Sequence, residues 1–530
     1  MLKRRTLLTT AMLALGAGVS PLATAPAFAQ EDTRPDFAFA VDNLWSTLDP
    51  VIGLSTTGGR VYGNVFDTLV KRNYFEDPEG NTIIPGLATS WEQVTPTTWR
   101  LHLREGVTFQ NGDPMTAEDV AFSLSEERLW GEEPLAPRGK NYARGLVGVT
   151  VVDDYTVDLE TAFPDPTFIN RLTTPIGYVL PKDYYESVGT EAFGQKPIGT
   201  GPYMITDFDP SDHAVAVAYD DYWDGAPPLK SVTWKIVPEF STRYAGLVSG
   251  DYDLIMSVPI DQMDAVEATD GIHLIVDQIG NYPMFAFNTL TIEGMDDNPL
   301  VDANLRKAMV MAIDRDAITE ALWNGMTFTP TPFNFPEYGP YFDPDRKATY
   351  GYDPERAAEF LAESDYDGQP LIWNIVRGFY PNYEAAAEYM VEMWRDLGIN
   401  VELNIVDNFS LAYQRPFHML NMSMSSEFTG DPYRPLWLDW GPSSSRVTAA
   451  HRTWTPTEAF LEDGERFERA QTFEEKNAAY LDLVKDWEDV TPGMYLWRNV
   501  QTFAMSDKYE WDPGSSQLTI FTSDFLTIEP

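Results

Sequence analysis

The amino-acid sequence predicts an α/β fold, in which helices and strands alternate along the chain. One observation is the block 99–124, which reads as a strand, a turn, a second strand and the start of a helix. A second is the helical stripe of apolar residues from Tyr383 to Leu397, which ends at Gly398 and is followed by alternating apolar residues over 399–405. Helix followed by strand, repeated, is typical of layered α/β domains.

The region before the block predicts one extended segment and one helix. The extended segment begins at Phe37, and the apolar-rich residues 61–70 predict a helix after Gly58 and Gly59.

The block itself carries two local signals. Residues 99–103 alternate as one face of a strand, and Asn111 with Gly112 tolerates the positive φ of a tight turn. Thr116 stands three residues before Asp119, which predicts a capping box at a helix start.

Turns and strands continue after the block. Residues 153–154 predict a turn before an alternating strand at 155–159, and the Gly- and Pro-rich residues 197–203 predict a turn between elements. A phosphate loop is the alternative for 197–203, but no Gly-Lys-Ser/Thr follows it. We therefore expect one β-rich module over about residues 75–195.

Helical patterns dominate the second half. Residues 304–322 carry apolar side chains at helical spacing, and Asp353 before Pro354 predicts the start of another helix. With the stripe and strand at 383–405, they extend the helix–strand repetition to the C-terminal half.

Composition limits the function. The 530 residues include 37 Lys and Arg against 81 Asp and Glu, and 43% are hydrophobic. This length allows roughly three domains, and the strongly acidic balance repels phosphate backbones. We expect a folded, soluble protein that binds no nucleic acid.

The N-terminus resembles a secretory signal. Residues 3–5 are basic, residues 7–19 are mostly apolar, and Ala27 and Ala29 suit a cleavage site. The apolar part is shorter than the ~20 residues of a membrane-spanning helix. We expect a signal peptide over residues 1–29, exported by the twin-arginine or the general route. Without cysteine a lipid anchor there is excluded, so we expect a periplasmic protein, with full secretion as the alternative.

Catalytic and metal-binding patterns are absent from the sequence. The five histidines are scattered, and without cysteine a His/Cys zinc site is excluded. No Gly-x-Ser-x-Gly elbow occurs, and no two carboxylates stand out as a glycosidase pair. We expect no enzyme activity, no cofactor and no metal site.

Several motifs point to one family. The segment LREGVTFQNGDPMTAEDV at 103–120 closely resembles a signature of the large solute-binding proteins that serve peptide-type ABC importers. The likeness continues in order at 48–50, 85–91, 199–203, 221–223, 247–253, 287–289, 305–308 and 312–315. The chain resembles the peptide/nickel/opine class of ABC-transporter solute-binding proteins.

The resemblance implies a periplasmic-binding-protein fold, type II-like, with two lobes joined by crossing strands and an inserted β-rich third domain. Lobe one is then about 30–74, 196–287 and 500–530, the inserted domain about 75–195, and lobe two about 288–499. The implied function is capture of a solute between the lobes and its delivery to an inner-membrane permease and ATPase. We expect a monomer that binds a peptide, an opine or an oligosaccharide.

The resemblance also implies two ligand contacts. The segment around Arg377 resembles one whose arginine grips a ligand carboxylate, and the segment around Asp431 resembles one whose aspartate meets a ligand ammonium. A guanidinium suits a carboxylate bidentately, and a carboxylate neutralises an ammonium in a dry cleft. The structural alternative is that Arg377 pairs with a nearby acid and Asp431 caps a turn before Pro432.

The run 433–441 is richer in aromatic residues than the corresponding segment of a typical dipeptide site. Arg434 adds a second guanidinium, and Trp437, Trp440 and Trp45 are candidates to stack on a sugar ring or aromatic group. Core packing is the equal alternative for these aromatics. The family likeness adds Asn288 as a further ligand-binding candidate.

Three functions compete at this point. The leading one is a periplasmic binding protein for an oligopeptide-like or opine-like solute, with an oligosaccharide or another aromatic-stacking solute as its variant. The second is an exported hydrolase, and the third a sensor-linked receptor or a periplasmic chaperone. Stabilisation of the fold by an added solute distinguishes the first from the second.

Overall fold

Three larger β-sheets, each beside its own hydrophobic core, organise residues 34–530. The computed structural model describes residues 32–77, 79–425, 430–514 and 516–529. The predicted signal peptide over 1–29 lies outside the described residues.

Strands and α-helices are numbered in chain order. The strands of the described residues are β1 Asp36–Val41, β2 Val70–Arg72, β3 Ile83–Pro85, β4 Ala88–Thr95, β5 Thr98–Leu103, β6 Leu146–Asp153, β7 Thr156–Thr161, β8 Tyr203–Asp209, β9 His213–Ala218, β10 Ser231–Ile236, β11 Leu254–Met256, β12 Ile272–Gln278, β13 Asn281–Phe287, β14 Leu371–Val376, β15 Val401–Val406, β16 Met419–Ser425, β17 Gly493–Tyr495, β18 Val500–Ser506, β19 Tyr509–Trp511 and β20 Leu526–Ile528. The α-helices there are α1 Thr56–Tyr62, α2 Ala117–Ser123, α3 Phe168–Arg171, α4 Lys182–Val188, α5 Thr190–Gln195, α6 Phe240–Ser249, α7 Met263–Glu267, α8 Ala303–Met311, α9 Arg315–Trp323, α10 Pro354–Ala362, α11 Tyr383–Leu397, α12 Phe409–Ala412, α13 Ser445–Thr448, α14 Glu458–Arg469 and α15 Phe473–Val490. Short 3₁₀ or π turns occupy Glu126–Trp130, Pro137–Asn141, Pro175–Gly177, Ile260–Gln262, Pro299–Val301, Pro336–Tyr341 and Tyr433–Leu438.

The first sheet defines lobe one. Its seven strands lie in the order β12-β18-β11-β1-β10-β9-β8, and β1 pairs in parallel with both β10 and β11. Phe37, Phe39 and Val41 alternate on β1 and pack in one core with Trp234 of β10. This strand confirms the extended segment that the sequence predicts from Phe37.

The second sheet defines the inserted module. Its strands form an antiparallel sheet in the order β4-β5-β7-β6, and the chain enters and leaves it between strands of lobe one. Helix α2 packs on β6 and β7. The backbone N–H of Thr116 donates to Asp119 at 2.9 Å, and Gly112 has a φ of 90°. The predicted first strand, turn and capped helix are confirmed, as are the turn and strand at 153–159. The second strand predicted within 99–124 does not form: between β5 and α2 an isolated bridge pairs Thr108 with Pro114.

The third sheet defines lobe two. Its order is β15-β14-β16-β13-β17, with β14 parallel to β15 and β16. Met390 and Trp394 of α11 are fully buried against this sheet, and Gly398 ends the helix in the left-handed conformation at a φ of 93°. The predicted helix, its glycine stop and the following strand are confirmed.

The predicted helix over 61–70 is wrong. Helix α1 begins earlier because the hydroxyl of Ser55 accepts a hydrogen bond from the backbone N–H of Gly58 at 3.0 Å. The carbonyls of Asn64 and Val65 accept bonds from Tyr203 and Gly201, at 3.0 and 2.9 Å. A backbone segment 135 or more residues away thus takes the acceptors that a longer helix needs.

The predicted single helix over 304–322 is two helices. The carboxylate of Asp314 accepts a hydrogen bond from the backbone N–H of Ala317 at 2.9 Å. Asp314 is therefore the N-cap of α9, and α9 starts as a helix separate from α8. Asp353 caps α10 as predicted, accepting from the backbone N–H of Arg356 at 3.0 Å.

Two crossing segments join the lobes. One passes from β12 to β13 through Ile279, and the other from β17 to β18 through residues 496–499. The backbone N–H of Asn499 donates to Asn281 at 2.7 Å, and that of Ile279 donates to Asn499 at 3.1 Å. The two segments therefore form one antiparallel ribbon, which fixes the lobes at their junction. Away from the ribbon, no strand pairing among the described residues joins the sheets of the two lobes.

A buried ion pair fastens the inserted module to lobe one. Arg128 donates from both terminal nitrogens to Asp49, at 3.1 and 3.0 Å, and both side chains are essentially inaccessible to solvent. The hydroxyl of Tyr185 donates to the same carboxylate at 3.1 Å. Burial opposes ionisation of Asp49, but Arg128 and the backbone N–H groups of Ile52 and Val51 hold its pKa below the ordinary value.

Arg128→Met is expected to lower the free energy of unfolding by about 3–5 kcal/mol at neutral pH, because it leaves the Asp49 carboxylate buried without its counter-ion. In the unsubstituted protein the contribution of the pair is present above the unfolded-state pKa of about 4, and it is lost as the pH falls through the lowered folded-state pKa. Chemical denaturation at several pH values measures both effects.

The matched control is Arg100→Met, which removes the partner of Asp158 on the exposed face of β5. Its effect is expected to be far smaller, because exposed ion pairs contribute little to stability. Equal losses in the two variants would contradict the role assigned to Arg128.

Candidate functional site

A cleft of about 740 Å³ lies between the two lobes beside the crossing segments. Lobe one contributes the loop after β1, the first turns of α1 and the end of β11. Lobe two contributes residues 378–385, and the crossing segments contribute Ile279 and residues 499–502. This size falls in the range of small-molecule binding pockets, roughly 300–1,000 Å³.

The lobe-one wall carries a buried guanidinium. Arg60 is 8% exposed, and its Nη1 donates to Asp42 at 2.6 Å and to the backbone and side-chain oxygens of Asn43, both at 2.9 Å. Arg243 lies behind this wall, where burial and the nearby Arg60 lower its pKa and Asp42 opposes the shift. Asp42 pairs with Arg60, whereas Arg243 donates to the backbone carbonyls of Val237, Pro238 and Met256. The wall thus presents one ion pair with a second guanidinium behind it.

The end of β11 is held in a strained conformation beside these groups. Ser257 has a φ of 56°, in the left-handed region that non-glycine residues seldom adopt. Its hydroxyl donates to Asp42 at 3.3 Å, and its carbonyl accepts from Arg243 at 3.3 Å. Such strain persists where the surroundings enforce it and is common at ligand sites.

The lobe-two wall is a tight turn between β14 and α11. Gly378 and Asn382 both have positive φ, 63° and 59°, and the turn presents Phe379 and Tyr380 with their ring centroids 4.5 Å apart. Glu384 accepts the backbone N–H of Gly378 at 2.8 Å. This wall therefore offers two aromatic rings and a half-buried carboxylate opposite the guanidinium of lobe one.

Arg377 lies at the border of this wall. Its side chain is 60% exposed, 3.7 Å from Asp407 and 4.0 Å from Glu384. The next eight residues line the cleft, and Arg377 itself lies beside these two acids at the rim. Its role in gripping a ligand stays a prediction.

Asp431 and Arg434 lie where lobe two meets the inserted module. Asp431 is 1% exposed and accepts the backbone N–H of Tyr433 at 3.0 Å, as in the turn-capping alternative. Arg434 donates to the carbonyl of Ser425 at 3.3 Å and stacks 4.7 Å from the ring of Tyr142. Neither residue lines the 740 Å³ cleft.

Polar side chains bridge this interface between lobe two and the inserted module. Arg144 of the inserted module donates to the hydroxyl of Tyr433 at 3.1 Å and to Glu468 at 2.9 Å. The buried ammonium of Lys476 lies 3.9 Å from the buried carboxylate of Asp165. Separation of lobe two from the inserted module must break these contacts.

Trp437 and Trp440 belong to the core of lobe two. Trp437 is 3% exposed and packs on Phe460 at 6.0 Å, and Trp440 packs edge-on against Trp454 and Trp487. This placement supports the core-packing alternative and does not support stacking on a solute.

Trp45 lies near the cleft, whereas Asn288 lies in the core of lobe two. Trp45 lies two residues from the lining residue Asn43 and stacks with Arg138 at 5.1 Å, so it is near the cleft. Asn288 is fully buried, and its amide donates to Met295 and to the carbonyl of Phe417. Its bonds are those of a core residue.

Most residues that line the cleft are missed by sequence reasoning. Asp42, Arg60 and Ser257 come from segments far apart in the chain and form no motif. Tyr380 lies within the segment 376–382 named for Arg377, and Glu384 lies just beyond it; Gly378, Pro381 and Asn382 are the signals of a turn there.

A contact of lobe two and a crossing segment with residues 79–81 surrounds Glu337. Arg498 of the crossing segment pairs with Glu79 at 3.1 Å, and the hydroxyl of Tyr282 donates to Glu337 at 3.0 Å. Burial raises the pKa of Glu337 to about 7, although the nearby Arg498 opposes the shift.

The sequence predicts neither a metal site nor a membrane-spanning helix in the part of the chain that the structure describes. No group of three or more histidines and carboxylates is placed there to hold a metal ion. None of the helices there combines the length and apolar character needed to cross a membrane.

Residues 82–446, more than half of the chain, match the family described as bacterial extracellular solute-binding proteins, family 5 Middle. Heme-binding protein A of Haemophilus influenzae is 28% identical over 364 residues, which cover 63% of this chain and 64% of that protein. The dipeptide-binding protein of Escherichia coli is 26% identical over 344 residues, 61% of this chain and 63% of that protein. The chain therefore matches less than two thirds of the length of either relative.

A solved structure shows the same fold. The ABC transporter-associated periplasmic binding protein DppA from Helicobacter pylori, in complex with the peptide STSA, has a TM-score of 0.77 at 20% identity and covers 94% of this chain and 99% of its own. The predicted type II-like periplasmic-binding-protein fold, with two lobes, crossing strands and an inserted β-rich domain, is confirmed.

Glu337→Gln is expected to remove a pH-dependent loss of stability. With a folded-state pKa of about 7, the neutral carboxyl stabilises the fold fully below the unfolded value of about 4, and this contribution is lost as the pH rises through 7. The variant should become more stable than the original protein between about pH 5 and 8, by on the order of 3 kcal/mol at the upper end.

Denaturation midpoints across this pH range measure the difference. Glu510→Gln, at an exposed position on β19, is the matched control and should leave the pH profile unchanged. Parallel profiles for Glu337→Gln and the original protein would contradict the assignment.

Proposed function

Because the chain belongs to the bacterial extracellular solute-binding proteins of family 5, we propose that it is the solute-capturing component of an ABC importer. It binds a small solute between its two lobes and delivers it to a permease and ATPase in the inner membrane. The family consists of solute-binding proteins, so this role involves no catalysis.

The charge arrangement of the cleft supports a zwitterionic solute. On one wall Arg60 pairs with Asp42, and the guanidinium of Arg243 lies behind it on backbone carbonyls; on the other wall Glu384 lies beside aromatic rings. A carboxylate of the solute neutralises the first wall, and an ammonium neutralises the second. Charged groups in a closed cleft need such matching, because an unpaired buried charge costs several kcal/mol.

A peptide-like or opine-like solute fits this arrangement better than an oligosaccharide. Phe379 and Tyr380 supply apolar contact for a side chain. The two tryptophans that a sugar ring would need, Trp437 and Trp440, are in the core of lobe two. The peptide bound to the solved DppA and the printed role of the dipeptide-binding relative agree with this class.

Capture proceeds by movement of the lobes about their ribbon. Rotation at Ile279 and Asn499 changes the separation of the walls while the ribbon bonds remain intact. Closure on a solute excludes water and strengthens its ion pairs. The closed form then presents one surface, made of both lobes, to the permease.

Export places this function in the periplasm. The sequence signals at residues 1–29 support export without a lipid anchor, through the twin-arginine or the general route. A sensor-linked receptor would bind the same solute, and transport assays of the importer distinguish the two roles.

Arg60→Gln is expected to weaken binding of a zwitterionic solute at least tenfold, about 1.4 kcal/mol, because the lobe-one wall loses the charge that meets the solute carboxylate. A thermal-shift screen of dipeptides, tripeptides, opines and oligosaccharides identifies the solute, and calorimetry then measures the affinity of each variant. Arg377→Ala, measured in parallel, tests the residue that the family likeness names.

Arg100→Gln, on the inserted module, is the matched control and should retain the original affinity. If no solute raised the melting temperature while a hydrolysis assay gave turnover, the proposal would be wrong. Unchanged affinity in Arg60→Gln would remove this guanidinium from the site, and unchanged affinity in Arg377→Ala would remove Arg377.

A further inference from the structure

A second cavity, of about 260 Å³, lies between lobe one, the inserted module and the C-terminal segment. It shares no lining residue with the interlobe cleft, and none of its lining residues comes from lobe two. The space is partly open to solvent, since Phe75, Asp224 and Asp524 of its lining are exposed. A ligand can therefore enter it from solution.

The C-terminal segment, residues 516–525, forms one side of the cavity, and its side chains alternate between two faces. Leu518, Ile520 and Thr522 line the space, while Thr519 and Phe521 are buried on the opposite face of the segment. Two-residue periodicity of this kind is that of an extended chain with two different faces. One face thus anchors the segment in lobe one, and the other presents apolar side chains to the cavity.

An aromatic platform forms another side. The indole of Trp223 donates to the buried carboxylate of Asp67 at 2.9 Å, which fixes the ring. The guanidinium of Arg104 lies 4.4 Å from the ring centroid of Trp223. Phe75 is 48% exposed and packs on Phe525 with their centroids 4.8 Å apart, so an exposed aromatic pair also borders the space.

Two guanidiniums in this lining lack an acidic partner. Arg72 donates to the carbonyl of Gly80 at 2.5 Å, and Arg104 donates to the carbonyl of Gly86 at 3.3 and 3.4 Å. Neither forms a salt bridge with a carboxylate of the described residues, and Nη2 of Arg72 is buried with no hydrogen-bond partner there. Arg72 also packs against the backbone of Gly430.

The carboxylates of the cavity lining do not form salt bridges with Arg72 or Arg104. Asp67 and Asp224 lie 3.3 and 3.7 Å from Lys71, and Asp524 is exposed to solvent. The acidic and basic side chains of the lining are equal in number, but neither guanidinium is paired directly with a carboxylate of the described residues. A buried donor with no acceptor carries a free-energy cost that an anionic ligand would remove.

We propose that this cavity is a second ligand site, which takes a small organic oxyanion attached to an aromatic or branched apolar group. The oxyanion binds Arg72 and Arg104, and the apolar group packs on Trp223, Leu518 and Ile520. The site is independent of the proposed transport function, because the two spaces have no residue in common.

Calorimetric titration of the mature chain tests the proposal with a matched pair of probes. 3-Phenylpropionate carries the carboxylate and the aromatic group, and 3-phenylpropanamide keeps the shape but lacks the charge. Saturable binding of the acid, with the amide at least about tenfold weaker, is expected. Phenyl phosphate, titrated in the same way, shows whether a phosphate or a carboxylate is the preferred oxyanion.

The double substitution Arg72→Gln with Arg104→Gln is expected to weaken binding of the acid by at least about tenfold, with binding of a cleft solute unchanged. Arg100→Gln is the control for loss of a surface charge, and the melting temperature reports that each variant is folded. Unchanged binding in the double variant, or no saturable binding of either oxyanion at millimolar concentration, overturns the proposal.

A crystal structure with 3-(4-bromophenyl)propionate locates the ligand directly through the anomalous signal of bromine. Bromine beside Trp223 supports the site. Bromine only in the interlobe cleft overturns it, and this outcome leaves the proposed transport function untouched.

Discussion

The constraint on which the structure depends is the pairing of two crossing segments into one ribbon. Asn281, Ile279 and Asn499 bond through their backbones, so both connections between the lobes lie side by side and share one axis. A single connection would leave the lobes free to twist, whereas a paired ribbon restricts them to bending about it. The sheets on either side then behave as rigid bodies, because each has its own buried core.

The cleft follows from this arrangement. Its walls are the ends of secondary-structure elements that approach the ribbon from opposite lobes, and several residues there have positive φ. Strained positions such as Ser257 hold hydroxyl and guanidinium groups in place before a solute arrives, which reduces the ordering that binding requires. The contacts of lobe two with the inserted module oppose opening, so the balance between open and closed forms is set by polar groups on both faces. The second cavity shares no lining residue with the cleft, although Arg72 of its lining lies close to Gly430 of lobe two.

The sequence predicted elements with strong local signals and missed those decided by distant partners. The helix ended by Gly398 and the capping box at Thr116 depend on neighbouring residues, so periodicity and capping rules found them. The helix predicted over 61–70 was wrong because acceptors in it bond to residues near 201, which no local pattern reveals. The family likeness named Arg377, which lies at the rim of the cleft. It could not name Arg60, because the neighbours of Arg60 come together only when separate parts of lobe one fold. The aromatic run after Asp431 was ambiguous for the same reason, since a buried and a ligand-facing tryptophan look alike in sequence.

A distance measurement across the cleft tests the central claim, that a solute is captured by closure about the ribbon. The chain contains no cysteine, so Val248→Cys on lobe one and Tyr389→Cys on lobe two, both at exposed positions, give two unique sites for spin labels. We predict that a saturating solute narrows the distribution of label distances and shifts it to a single value, with no such change in Arg60→Gln at the same solute concentration. An unchanged distribution, with binding verified by calorimetry in the labelled protein, would contradict the account.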